Sequence, residues 1–393
     1  MTPAARFLVY SMSKRILVCI ESYLPGHAGG GPVRALSNLV SHFGEQHEFF
    51  ILTRDHDYLS EKSYEMVTRN TWISCGDSKV LYASDTQWWG QFCRSLDELK
   101  PDFVYLNGLF APMTRRILAA RKKVPSITDI PCIVAPHGNL GFRILQPGNW
   151  KKLLWLFWAR SKNLFCEVSW HSGSKRESAQ IKRHISSGQK IRCIPMAPPM
   201  WHEQEIQISK TPSNHLKLVY FGRISPEKNL SFALNIIKQV ARNIRTNSIT
   251  WDLYGIGPVE KRFARSVKKN LSSKITVRFL PQHSHEQLQE ALIKQSYDAL
   301  LLPSKSENFS FTVLESLSIG IPVILSDQTP WRDLEERGFG WDLPLDRPEV
   351  WVEVLEKITR ETILEKESRR RRAQAFARDW VLDYPQIGKE LFS

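Results

Sequence analysis

No run in these 393 residues approaches the ~20 consecutive apolar positions that a membrane-spanning helix needs, so a chain that crosses a bilayer is not expected. Cysteine is scarce and without pattern. Cys19, Cys75, Cys93, Cys132, Cys166 and Cys193 form no C-x-x-C and have no nearby His spacing. A zinc site or a disulfide framework is therefore not expected, and the plain reading is free thiols in a reducing cytosol. Met1 to Val9 is too short and polar for a secretory leader, and Lys14-Arg15 interrupts any longer apolar run. Met12 is an alternative start, because "MSKRILVCIE" opens directly into a strand. No internal repeat is visible. Nor is there a helix-turn-helix, zinc or RNP-like pattern, or a basic strand interleaved with aromatics, so nucleic-acid binding has no motif behind it.

What is present is an ordinary globular composition with an unusual charge. Hydrophobic residues make up 42% and charged residues 24%, which excludes wholesale disorder. The length fits two domains, each able to bury its own core. Net charge is +14, and it is unevenly placed: residues 1–200 hold 26 Lys/Arg against 15 Asp/Glu, the remainder 28 against 25. The surplus of the first half implies an anionic partner there: a membrane surface, a phosphorylated lipid or a nucleic acid.

Short apolar runs bounded by turn residues recur along the chain. "RILVCI" (15–20), "HEFFILT" (47–53), "DFVYLNG" (102–108), "PCIVAPHG" (131–138) and "IRCIP" (191–195) form one series. "LKLVYFG" (216–222), "TWDLYG" (250–255), "KITVRFL" (274–280), "YDALLLPS" (297–304) and "IPVILSD" (321–327) form a second. Stretches of helical period, such as Leu230–Arg242 and Glu286–Gln295, lie between them. Alternating strands and helices predict two doubly wound α/β domains with parallel sheets. The Pro-rich, aperiodic stretch around 197–215 reads as the linker, placing a first domain at 1–196 and a second at 216–375.

In such sheets ligands sit beyond the carboxyl ends of the strands, so the loops there are the places to inspect. "GRISPEKN" puts Arg223 and Lys228 on one such loop, a pair suited to a diphosphate or simply a solvated basic loop. "GIGP" brings Gly255 and Gly257, which allow close backbone approach or merely reverse the chain. "PSKSENFSFTVLESLSIGIPVILSD" (303–327) holds Glu307 and Glu315 eight positions apart, with little nearby in sequence to neutralise them. The helix start around Ser310 to Thr312 offers amides to an anion. Glu307 is placed to accept from ligand hydroxyls. Glu315 is expected about two turns deeper, where it could take both hydroxyls of a ribose. Gly320 is expected as the αL cap, with Pro322 blocking continuation.

"FGRISPEKN", "LYGIGP", "LLPSKSENFSFTVLESLSIGIPVI" and "DLEERGFGW" resemble, in order and spacing, the C-terminal domain signature of the retaining family-4 glycosyltransferases, of the bacterial polysaccharide-biosynthesis type. The resemblance implies a GT-B fold: two Rossmann-like doubly wound parallel-sheet domains facing a deep interdomain cleft. It also implies that Arg223 and Lys228 hold the diphosphate of a UDP- or GDP-type donor sugar and that Glu307 contacts the sugar. Amides at Asn308, Phe309, Ser310 and Phe311 would bind sugar hydroxyl and phosphate, and Glu315 the ribose. No metal or other cofactor is implied. In "SENFSF" Asn308 stands where the family usually has Gly, which bears on sugar preference. Segment 376–393 resembles the family's closing helix, which returns to the first domain with Trp380 as its anchor.

On the first half, "GGGPVRALSNLV" (29–40) and "APHGNLG" (135–141) look like acceptor-side loops. Gly30 and Gly31 could bring amides to a phosphate or sugar, or serve only as a hinge. His137 taken alone reads as a structural donor; the resemblance makes it a contact to the transferred sugar. "RDHDY" (54–58) contains an Asp-x-Asp, a weak candidate for a metal. "NWKKLLWLFWARSKNLF" (149–165) mixes cations with large aromatics, as an interfacial helix on an anionic leaflet does, although the aromatic side could equally be core. "ESRRRRAQ" (367–374) is expected to be a solvated helix face. The expectation is a cytoplasmic glycosyltransferase, with a peripheral seat on the inner face of the cytoplasmic membrane. Its partners would be a nucleotide sugar and a glycan or polyprenyl-linked saccharide. A sugar-nucleotide epimerase or hydrolase on the same scaffold, or a basic nucleic-acid-binding protein, are the alternatives.

Overall fold

The structure, a computed structural model, describes residues 13–26, 29–58, 60–141, 149–186, 188–202, 215–243, 248–257, 259–268, 271–281 and 285–393. Both candidate starts, Pro258 of the Gly turn and most of the expected linker lie outside these residues. The chain divides into two compact units, Met1–Pro199 with Pro385–Ser393, and Met200–Tyr384.

The first unit is built on eight strands: β1 (Arg15–Cys19), β2 (Glu48–Arg54), β3 (Trp72–Cys75), β4 (Ser78–Ala83), β5 (Phe103–Asn107), β6 (Cys132–Ala135), β7 (Val168–Ser172) and β8 (Lys190–Cys193). Their spatial order is β3-β4-β2-β1-β5-β6-β7-β8. All neighbours are parallel except β3 with β4. The central strands are unbroken apolar runs because helices cover both faces of a parallel sheet. Leu17, Leu52, Val104 and Val134 are fully buried, and helix Trp88–Leu99 adds Trp88, Phe92 and Leu96 to the same core. Each such side chain contributes about 1.5–3 kcal/mol by leaving water.

The second unit carries β9 (His215–Phe221), β10 (Ser248–Tyr254), β11 (Ile275–Leu280), β12 (Ala299–Leu302), β13 (Val323–Ser326) and β14 (Gly340–Leu343). Their order is β11-β10-β9-β12-β13-β14, parallel throughout. The chain winds outward from β9 to one edge and then returns to start again at β12. The reversal therefore falls between β9 and β12, where the loops diverge and leave a crevice. Helix Leu230–Asn243 turns Leu230, Ala233, Leu234, Ile237 and Val240 inward, at helical spacing.

Three expectations need correction. The arginine run is a solvated face only in part: Arg371 and Arg372 are exposed, but Arg369 and Arg370 are not. Arg369 pairs with Glu361 and lies over the Trp341 ring, while Arg370 is buried and donates to the Tyr297 carbonyl at 2.6 Å. The closing helix starts well before 376, spanning Ile363–Gly388. Trp380, expected as its anchor to the first domain, packs within the second unit, on Trp331 at 5.2 Å. In the first unit the equivalent anchor is Phe392, whose ring meets Phe49 and Tyr105 edge-on.

Candidate active site

The loops after β9, β12 and β13 meet at the reversal point of the second sheet. After β9 the chain makes a short 3-10 turn, Pro226–Lys228, closed by Asn229 in the left-handed region. That turn delivers Lys228 towards the loop after β12. Its Nζ donates to Glu307 Oε1 at 2.6 Å, and both side chains are mostly buried. Ser304 Oγ donates to the same oxygen at 2.6 Å, and the Glu307 amide donates to the Gln328 carbonyl at 3.2 Å. Glu307 is thus held by three loops. The acid that looked unneutralised in the sequence has a lysine 79 positions away as its counter-charge.

Two capacities remain. An ammonium has three donors, and Lys228 gives one to Glu307. Glu307 Oε2 has no partner among the described residues. Arg223 is exposed and makes no ion pair among the described residues. Its backbone is pinned by Tyr220, whose hydroxyl donates to the Arg223 carbonyl at 2.8 Å. Burial, with Glu307 adding, pushes that phenol well above its usual range, so it stays protonated as the donor.

Gly222 sits against the start of helix Phe311–Ser318: a side-chain carbon there would lie 3.6 Å from Thr312 Oγ1. The residue before the helix, Ser310, has φ +68° and a buried hydroxyl without a hydrogen-bond partner among the described residues. Phe309 ahead of it is buried beside Phe311 and Trp331, and its carbonyl accepts from Trp331 Nε1 at 2.6 Å. Asn308 is partly exposed in the same loop. Val313 N donates to the Ser310 carbonyl at 3.0 Å, while the amides of Phe311 and Thr312 ahead of it have no acceptor in the helix, which makes the turn electropositive.

Glu315 is less deep than expected. The helix begins at Phe311, so Glu315 is its fifth residue, about 6 Å along the axis. It is nonetheless buried. Gly320 closes the helix with φ +73°, and Ile321 N reaches back to the Ser316 carbonyl at 2.9 Å. Gly255 and Gly257 serve close packing of loops. A side-chain carbon on Gly255 would fall 1.9 Å from the Gly222 carbonyl oxygen, and one on Gly257 2.0 Å from that of Ile224. Bonds from Gly222 N to Tyr254 O (2.9 Å) and from Ile224 N to Ile256 O (3.0 Å) run beside them.

His137, Gly30 and Gly31 belong to the first unit. Gly30, at φ +66°, precedes helix Gly31–Phe43, and open space surrounds both glycines on their side-chain side. His137 follows β6 at φ +52°. Desolvation, with His171 adding, lowers its pKa to about 3, so the ring is neutral at ordinary pH. Its Nε2 donates to Asn107 Oδ1 at 2.8 Å, which leaves Nδ1 as an acceptor. The next amide, Gly138 N, donates to the buried Glu177 at 2.5 Å, and Gly173 N does so at 2.8 Å.

Sequence reasoning passed over Glu21, the acid two residues beyond β1. Its Oε1 accepts the Met113 amide at 2.8 Å at the start of helix Pro112–Arg121, and its Oε2 pairs with Arg54 at 2.7 Å. Burial raises its pKa. A lone acid directly after a first strand was the available signal. The Asp-x-Asp turns out to be internally committed: Asp55 pairs with Arg69 at 3.0 Å, and Asp57 accepts the Tyr58 amide at 2.7 Å. Among the described residues no group of three or more His, Cys, Asp or Glu could hold a metal ion.

Residues 202–380 match the family model of the glycosyl transferases group 1. Over 179 residues the chain is 22% identical to the UDP-N-acetylglucosamine--peptide N-acetylglucosaminyltransferase GtfA subunit of Streptococcus agalactiae, covering 43% of this chain and 32% of that protein. The chain thus spans about a third of the length of this curated relative. Among solved structures it is similar to WaaG, a glycosyltransferase involved in lipopolysaccharide biosynthesis, with a TM-score of 0.65 and 13% identity over 96% of this chain and 99% of that one. HepE of Anabaena, solved in complex with UDP and glucose, gives 0.64 and 14% over 96% and 99%. These likenesses establish the fold as GT-B.

Proposed function

We propose that this chain, a member of the glycosyl transferases group 1 with a GT-B fold, moves a sugar from a UDP- or GDP-type nucleotide sugar to a glycan or polyprenyl-linked saccharide. The setting we favour is cell-surface polysaccharide biosynthesis on the cytoplasmic side. The reading is supported above all by the Lys228–Glu307 pair at the sheet's reversal point, beside the start of helix Phe311–Ser318.

The chemistry follows from what those groups can do. Breaking the bond between the anomeric carbon and the diphosphate leaves negative charge on phosphate oxygens and positive charge on the sugar ring. Lys228, with two donors to spare, and the Arg223 guanidinium meet the departing phosphates, and the first-turn amides meet them from a third side. No metal is needed in this scheme. Glu307 Oε2 accepts a hydroxyl of the donor sugar, and the carboxylate next to the ring favours its developing positive charge. Glu315 grips the ribose. We assign retention of anomeric configuration: the acceptor oxygen bonds to the carbon on the face the diphosphate leaves, and its proton passes to the departing phosphate oxygen. In the first unit, the neutral His137 ring keeps Nδ1 as an acceptor for a hydroxyl.

The test is a donor panel with product analysis by NMR, in wild type, Arg223→Ala and Lys228→Ala, each with and without chelator. Losing one such group is expected to lower turnover by about 10²–10³ while the fold persists. Wild-type turnover in both variants would remove the assignment. Free sugar formed at the full rate without any acceptor would turn the reading to hydrolysis.

A further inference from the structure

Helix Trp150–Ser161 of the first unit is apolar on two opposite sides. At 3.6 residues per turn, Trp155, Leu156 and Ala159 share one side and are buried in the core. Trp150, Leu153, Leu154, Phe157 and Trp158 share the other, and they are exposed, Trp150 by 58%, Leu154 by 58% and Phe157 by 74%. A helix apolar all round is ordinarily enclosed. This one is covered on one side only: Trp155 is core, and Trp150, Phe157 and Trp158 are not.

The charges around the bare face name its occupant. Lys151 and Arg160 border it on either edge, and Lys162 follows the helix. Lys152 lies over the Phe110 ring at 5.5 Å, and Arg115 of the neighbouring helix lies over Trp155 at 5.1 Å. No acid occurs in the sequence between Asp129 and Glu167. Tryptophans towards both ends, leucine and phenylalanine between them and cations along both borders form the pattern of a helix lying in a lipid interface. Protein interfaces, by contrast, are depleted in lysine.

We propose that this face docks the first unit onto an anionic bilayer surface, with the apolar side chains among the acyl chains and the lysines and arginines at the headgroups. The inference stands apart from the assignment of sugar transfer and holds whichever reaction the second unit performs. The test is co-sedimentation of the full chain with phosphatidylcholine vesicles, with and without phosphatidylglycerol. Binding is expected only to the anionic vesicles and is expected to weaken as salt rises. L154E/F157E should lose it by more than about tenfold. K151Q and R160Q should each weaken it about fivefold. All these side chains are exposed, so circular dichroism and the melting temperature should match wild type. Wild-type chain that stays in the supernatant with anionic vesicles overturns the proposal, as does L154E/F157E that binds normally. A dimer that ignores vesicles and is split by L154E/F157E overturns it too, in favour of a second copy on this face.

Discussion

Lys228 and Glu307 show how far single residues were legible. Their types and their positions after strands were visible in the sequence, but their pairing was not, because only the topology brings loops 79 residues apart to one crevice. His171 escaped notice for the same reason. It is buried on β7, its Nε2 donates to the Ile194 carbonyl at 2.9 Å, and its Nδ1 accepts from the Tyr105 hydroxyl at 2.7 Å. Desolvation, the larger cause, holds its pKa down to about 4, against an ordinary 6.5. Between these values the unfolded chain binds a proton that the folded chain refuses. The contribution of His171 to stability is therefore full above pH 6.5 and falls as pH drops towards 4, by roughly 1.4 kcal/mol per pH unit. His171→Gln should reduce the acid slope measured in urea unfolding between pH 6.5 and 4.5, leaving the part that the buried His137 contributes. An unchanged slope would assign the acid sensitivity to other groups.

At the scale of elements, most strands buried on both faces were legible as continuous apolar runs, whereas β3, β4, β7 and β14 were not; β4, "SKVLYA", sets an exposed lysine among its apolar residues. β7 reads "VSWHS", with polar residues whose partners are remote; β14 has four residues; and β3 is a partly exposed edge paired antiparallel to β4. The Gly turn after β10 was visible as a turn, but not as a joint between two loops. Gly257→Ala tests that role. Its new carbon would meet the Ile224 carbonyl, which is backbone and has no rotamer to yield. The loop carrying Arg223 must move, and a cost of about 1–3 kcal/mol is expected. Gly257→Ala should therefore lower both the melting temperature and the thermal shift produced by a nucleotide sugar. A full shift in a destabilised variant would separate the turn from donor binding.

At the scale of the whole molecule, the first unit depends on a contact that no local pattern announces. The first unit is completed by Pro385–Ser393, reached through a helix that begins in the second unit and contains Pro385, a residue unable to donate to the helix ladder. Leu391 and Phe392 are buried there. The Phe392 ring lies 5.9 Å from Phe49, 5.8 Å from Phe103 and Tyr105, and 6.0 Å from His47, so it closes a patch formed by β2 and β5. The resemblance returns this segment to the first domain, but "LFS" does not say which side chains receive it; that takes the fold of residues more than 280 positions earlier. Phe392→Ala removes a buried aromatic with four ring neighbours, and about 3–5 kcal/mol should be lost from the first unit. The loss should be local, because the packing of the second unit involves none of these rings. Hydrogen exchange reads it strand by strand. Amides of β2 and β5 should exchange faster in Phe392→Ala, while those of β9 to β13 keep their protection; equal acceleration in both units would mean that the chain unfolds as one body.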